Sequence, residues 1–233
     1  MNHYHKLTFS MMYYYSEKYI LPLSHDENVH GKATVIQKMY GDNDDKITQA
    51  RAHNKYMNAH PGKKLLFMGQ EFGQFIEWNY KQELDWLLLD YDMHRMLKEF
   101  SRTLNRFYKR NPAMWEIDYS WEGFSCISSY VSANSVIAFR RMDKKGDDLI
   151  AVCNFTPVTR ENYRIGVPDK GTYRIVLNTD SVEFGGSGTK MQKTYTSKPI
   201  PMHSFGQSIS LTLPGLSVVY LKKQGKKADN KEE

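Results

Sequence analysis

Five ionisable side chains crowd one short stretch: His25, Asp26, Glu27, His30 and Lys32. They follow an apolar run, Tyr19-Ile20-Leu21, and then Pro22, Leu23 and Ser24. That order describes a buried strand opening into a loop of carboxylates and imidazoles. In a parallel α/β barrel, the loop after a strand is where chemistry sits. An ionised carboxylate that accepts hydroxyl hydrogen bonds makes short, strong contacts. The plainer alternative is that Ser24 or Asp26 caps a helix.

The surrounding sequence supplies elements that position such a loop. Residues 5–19 read as a helix, with Leu7, Met11, Met12, Tyr15 and Tyr19 on one face. Residues 19–23 and 64–68 read as short buried strands. A helix over 44–59 lies between them and is stopped by Pro61-Gly62. The clearest helix is 94–110, with Leu97, Phe100, Leu104, Phe107 and Tyr108 on one stripe and Pro112 just beyond. Strands separated by helices of this length predict a parallel sheet. Two such strands cannot close a barrel, and their free edges predict an incomplete or poorly packed region.

Near residue 115 the texture changes. Short strands recur over 135–142, 148–155, 172–177, 208–213 and 216–221, the first two joined by the turn Asp143-Lys144-Lys145-Gly146. An antiparallel sandwich of roughly seven or eight strands is expected. Residues 184–207 are poor in strand signals and read as a long loop. The fold class is therefore multi-domain, α/β followed by all-β. The division is 1–115, 116–223 and a charged, disordered tail over 224–233.

Composition narrows the function classes. The chain has 233 residues, is 40% hydrophobic and can bury a core. No run approaches a membrane span, and Met1 to Lys6 is not a signal peptide. Cys126 and Cys153 lie in strand-like runs, which predicts buried reduced thiols and a cytoplasmic location. The net charge of +6 is dispersed, so it points to a solvated surface and tail rather than to a nucleic-acid interface.

Leu21-Pro22-Leu23-Ser24-His25-Asp26-Glu27-Asn28 resembles the loop after strand seven of the α-amylase superfamily, in the form found in glycogen branching enzymes. Pro61-Gly62-Lys63-Lys64-Leu65-Leu66-Phe67-Met68-Gly69-Gln70-Glu71-Phe72 is similar to its strand eight. Glu77-Trp78-Asn79, Leu84-Asp85-Trp86, Asn154-Phe155-Thr156-Pro157-Val158 and Leu177-Asn178-Thr179-Asp180-Ser181 follow in the family's order. The resemblance runs from about Tyr4 to Leu221.

It implies the C-terminal third of a (β/α)8 barrel followed by a β-sandwich. It also implies an α-glucan substrate such as glycogen or amylose, and no cofactor. The family's nucleophile and general acid follow strands four and five, ahead of the matched region. One of three catalytic carboxylates therefore remains, and the missing N-terminal part is a possible partner. By resemblance Asp26 stabilises an oxocarbenium-like transition state and His25 shares the grip on sugar hydroxyls. Glu27, His30, Lys32, Gln70, Glu71 and Trp78 are candidate substrate contacts, Trp78 by stacking on a glucose face. Two rivals stay open: another hydrolase of the superfamily, and a non-catalytic glucan-binding or structural module.

Three other signals are weaker. Asp42-Asn43-Asp44-Asp45 lacks the glycine and distal glutamate of a calcium loop and reads as a helix cap. Gly185-Gly186-Ser187-Gly188-Thr189-Lys190 fails the spacing of a phosphate loop. His3, His5, His25 and His30 lack ligand spacing for zinc, so no metal is expected.

Overall fold

The computed structural model describes residues 9–21, 23–128 and 134–225. Its centre is a sheet of six antiparallel strands: β1 (Phe124–Ser128), β2 (Val136–Met142), β3 (Asp148–Asn154), β5 (Thr172–Asn178), β6 (Thr194–Thr196) and β8 (Ser217–Lys223). Their spatial order is β1-β2-β3-β8-β5-β6, and a second sheet pairs β4 (Arg160–Val167) with β7 (Gln207–Leu213). The β2–β3 hairpin turns where expected. Gly146 takes φ +82°, and the Asp143 carboxylate accepts from the amides of Lys145 and Asp147, both at 2.9 Å. β1, β4 and the short β6 had no clear signature in the sequence. β6 interrupts the stretch expected to be loop.

Side chains alternate across each strand, and here both faces are apolar. Val136, Ala138, Ile150, Val152, Val219 and Leu221 face the two-stranded sheet and pack with Ile165, Ile209 and Leu211. Their neighbours Ile137, Phe139, Leu149, Ala151, Val218 and Tyr220 face two helices, α1 (Asn43–Ala59) and α2 (Asp92–Arg110). Strands buried on both faces read as continuous apolar runs, which is the pattern of β2, β3 and β8. The helices supply Ile47, Ala52 and Tyr56 from α1 and Leu97, Phe100 and Leu104 from α2. The last three are spaced for one face of a helix. Each large side chain taken out of water here contributes ~1.5–3 kcal/mol. Helices and sheet thus share one core.

Both helices match expectation, and Asp42 caps α1 by accepting from the Asp45 amide at 2.9 Å. Three basic side chains then tie α1 to the β region. Lys55, fully buried, donates to the carbonyls of Leu177 and Val218 at 2.6 and 2.9 Å and lies 4.2 Å from the Tyr220 ring centre. Burial pushes its amine well below the usual lysine range. Arg51 donates to Phe184 O at 2.9 Å. Arg141, on β2, reaches Ala59 O at 2.8 Å and Asp118 Oδ1 at 2.7 Å.

Three expectations need correction. The strands at 19–23 and 64–68 contract to one parallel bridge, Ile20 to Lys63, so the described residues hold no barrel. A strand's backbone groups need a ladder of partners, and among the described residues these two segments pair only at this one bridge. The helix expected over 5–19 gives, among described residues, two 3-10 turns, Ser10–Met12 and Tyr14–Ser16. Met11, Tyr14 and Leu21 form a small cluster of their own, while Met12 is exposed. One face with so little to bury does not sustain a long helix. The start of that helix, His3, His5 and most of the 224–233 tail lie outside the described residues. Cys126 sits exposed on β1 rather than buried, and only Cys153 is enclosed.

Candidate functional site

The Ile20–Lys63 bridge is parallel. The loops that follow its two strands therefore leave from the same end. One is the acidic loop, residues 23–33. The other, residues 67–78, carries Gln70, Glu71 and Trp78. Side by side, they form a rim.

Residues His25–Glu27 make a single 3-10 turn, too short to support a capped helix. The His25 imidazole Nε2 lies 3.3 Å from Asp26 Oδ1, and the two side chains are 60% and 73% exposed. Both are free to meet a ligand. Ser24 donates to Glu27 Oε2 at 3.3 Å and makes no cap bond. The capping alternative for Ser24 therefore finds no support.

The other candidates divide by what they touch. Lys32 Nζ donates to the backbone oxygen of Asp26 at 2.6 Å, so it braces the turn. Lys38 does the same at Glu27 O. His30 is exposed, in left-handed backbone at φ +59°. Gln70 has both ends of its amide engaged: Nε2 donates to Leu23 O at 3.0 Å and Oε1 accepts from Phe67 N at 3.1 Å. Its side chain is a strut between the two loops. The half-buried Glu71 is anchored through its carbonyl, which accepts from Ser101 of α2 at 2.9 Å. The Trp78 ring meets Phe67 edge-on at 5.3 Å, and Phe67 lies 6.2 Å from the His25 ring. Two rings thus link the second loop to the imidazole.

One residue of the rim escaped the sequence reading as a functional group. Glu77 accepts from the amides of Gly31 at 2.9 Å and Ala33 at 2.7 Å. Those two bonds hold its carboxyl below the ordinary glutamate value. Nothing local marks Glu77, because its partners lie more than forty residues earlier in the chain.

The glycine-rich stretch at 185–190 is also explained. The Asp180 carboxylate accepts from the amides of Ser187 and Thr189, both at 2.8 Å. The loop cradles an anion, and that anion is the chain's own.

Known proteins share this chain's sequence and fold. Residues 130–224 match the family described as alpha amylase, C-terminal all-beta domain. The chain is 52% identical over 221 residues to a 1,4-alpha-glucan branching enzyme, GlgB, of Halothermothrix orenii, covering 94% of the chain and 35% of that protein. Against the GlgB of Aquifex aeolicus the identity is 50%, over 96% of the chain and 36% of that protein. The chain thus spans about a third of the length of these relatives. Among solved structures, pullulanase type I from Bacillus subtilis, complexed with maltose, is similar with TM-score 0.60 at 18% identity. It matches over 88% of this chain and 27% of its own. The alpha-amylase of H. orenii gives 0.52 at 19%, over 88% and 39%. These last two likenesses concern the fold alone. The identity along nearly the whole chain, with the match to the C-terminal all-beta domain, makes 1,4-α-glucan branching enzymes close homologues of this chain, which corresponds to their C-terminal part.

Proposed function

We propose that the chain works as the C-terminal part of an enzyme that cuts an α-1,4-glucan and passes the segment to a 6-hydroxyl, making an α-1,6 branch. The route is a retaining double displacement through a glycosyl-enzyme. In this reading residues 1–115 correspond to the last two β/α units of a (β/α)8 barrel. Residues 116–223 are the β-sandwich domain and 224–233 a charged tail. The parallel Ile20–Lys63 bridge supports it: His25 and Asp26 lie on the loop that follows the first of the two bridged segments, as barrel chemistry would require. The exposure of Ile20, Leu65, Leu66 and Met68 supports it as well. In the whole enzyme the neighbouring strands of the barrel would cover them, so that remainder is the chain's natural partner. The relatives' names favour branching over hydrolysis.

Asp26 supplies negative charge to the developing cation, where such contacts are far stronger than in water. His25 and, at lower reach, Glu27, His30, Trp78 and Glu71 meet the sugar. Lys32 and Gln70 act beside them, through the loop they hold. Nucleophile and acid come from outside these residues, and no cofactor takes part. No helix among the described residues is long and apolar enough to cross a membrane, and this reading places the enzyme in the cytoplasm.

Asp26→Asn in the full-length enzyme tests it. The amide keeps shape and one acceptor but loses the charge. Turnover falls roughly hundredfold or more, while affinity for unreacted glucan changes little. His25→Ala shifts more of its loss to binding. Near-normal turnover in Asp26→Asn would make Asp26 a structural residue and end the proposal.

A further inference from the structure

The acidic loop carries unusual backbone. Leu23, His30 and Ala33 take positive φ, at 84°, 59° and 64°, and Gly31 takes 77°. Left-handed conformations in non-glycine residues cost of order 1 kcal/mol or more and persist only where surroundings impose them. The surroundings here are two residues of the other loop. Gln70 holds the entry of the acidic loop at Leu23 O, and Glu77 holds its exit at the amides of Gly31 and Ala33. A weaker bond from Thr34 Oγ1 to Phe75 O, at 3.3 Å, follows just beyond. Between the two clamps lie His25 and Asp26.

We infer that Glu77 is a positioning residue of the branching reaction: its two carboxylate oxygens fix the exit of the His25–Asp26 loop against the loop bearing Trp78. The inference rests on the function proposed above. Two parallel amide-to-carboxylate bonds are charge-assisted and set direction as well as distance. The Glu77 carboxylate is engaged by the Gly31 and Ala33 amides, so it acts through the loop. The charged groups around it are His30 and Lys38, whose proximity also favours its ionised form. A misplacement of about 1 Å in a reacting group can cost ~100-fold in rate.

The test compares Glu77→Ala and Glu77→Gln. In the 233-residue chain, amide exchange of Gly31 and Ala33 is followed by NMR; in the full-length enzyme, turnover and KM are measured with the Tm. Glu77→Ala is expected to speed exchange at both amides ~10-fold or more and to lower turnover ~10- to 100-fold, with KM within about twofold. Glu77→Gln, keeping one acceptor oxygen, recovers part of both effects. Glu77 is partly exposed on a loop, and the Tm measured alongside shows whether either variant disturbs the fold. Unchanged exchange at Gly31 and Ala33 would overturn the clamp. Freed amides with normal turnover would overturn its role in the reaction. A rise in KM as large as the fall in turnover would make Glu77 a substrate contact and overturn positioning. Asp26→Asn, run alongside, reports on the parent reading by itself: if that variant keeps its turnover, the function fails, and the two amides still decide the clamp.

Discussion

The two helices before residue 115 and the two strands beside them come from the same stretch of sequence, yet they fare differently. α1 and α2 hold seventeen and nineteen residues of regular helix. The strands reduce to the Ile20–Lys63 bridge. A helix satisfies its own backbone and asks only for one surface to lie on. The outer face of the six-stranded sheet is that surface, through Phe139, Leu149 and Tyr220. A strand has no internal hydrogen bonds and cannot be completed by a surface alone. The lesson is that the sheet region stabilises part of the region before it, and the boundary seen in the sequence is not where order ends.

Native-state hydrogen exchange gives the largest effect with which to break that comparison. Amides of Leu149 to Cys153 lie in a strand buried on both faces, and those of Ile209 to Leu213 in one whose apolar face is buried. They are expected to exchange only on global unfolding, at least ~1000-fold more slowly than those of residues 23–40. The interior of α1, from Ala52 to Tyr56, should follow the sheet and not the loop. If α1 exchanges as fast as residues 23–40, the helices are not part of the sheet's cooperative unit.

Much of this was legible in advance, for reasons that differ by element. Periodicity located α1 and α2, and strict alternation located β7, because their partners are provided by the fold as a whole. The β2–β3 turn announced itself through Asp143 and Gly146. The acidic loop could be picked out because its residue types are dense and local. What could not be read is what depends on distant partners. Leu97 and Phe100 show a stripe but not that the Phe100 ring meets that of Phe184, 5.3 Å away. Gln70 reads as a substrate contact and Glu77 only as part of a motif, and neither shows its bracing role until Leu23, Gly31 and Ala33 are placed against them. The burial of Lys55 on α1 has no mark in the sequence, since nothing nearby reveals the carbonyls of Leu177 and Val218.

The second effect in size concerns the junction of the two regions. Arg141 is fully buried and donates to Asp118, Ala59 O and Gly123 O, while Lys63 reaches the other Asp118 oxygen at 2.9 Å. One guanidinium therefore joins β2, the end of α1 and the strand that bridges Ile20. Arg141→Ala leaves Asp118 buried with only Lys63 beside it, and losing one partner of a buried pair costs about 3–5 kcal/mol. Chemical denaturation should show that loss. Arg102→Ala, which breaks an exposed pair with Glu99, should cost well under ~1 kcal/mol. Equal effects in the two variants would mean that the junction does not depend on Arg141.

The smallest effect sharpens the same boundary through pH. His60 follows α1 and joins it to the first described segment. Its Nε2 lies 3.1 Å from Ser10 Oγ and its Nδ1 2.9 Å from Pro61 O, with the Tyr14 ring at 5.5 Å. Burial, aided by the nearby cations Lys64 and Arg141 and opposed by the Pro61 bond and Asp118, lowers its pKa from 6.5 to about 4. Above pH ~6.5 the imidazole is neutral in both folded and unfolded chain, and stability does not respond. As pH falls below that value the unfolded chain takes up a proton that the folded chain refuses, so stability declines. The decline levels off near pH 4, where the folded form is protonated too. Its full extent is about 3 kcal/mol. Burial also lowers the pKa of His53, so a shallower slope should survive in His60→Gln. The measurement is the difference in unfolding free energy between wild type and His60→Gln from pH 7.5 to 4.5, a range set by those pKa values. If the two chains lose stability in parallel over that range, His60 is open to water and the contact between the first segment and the end of α1 is not maintained in solution.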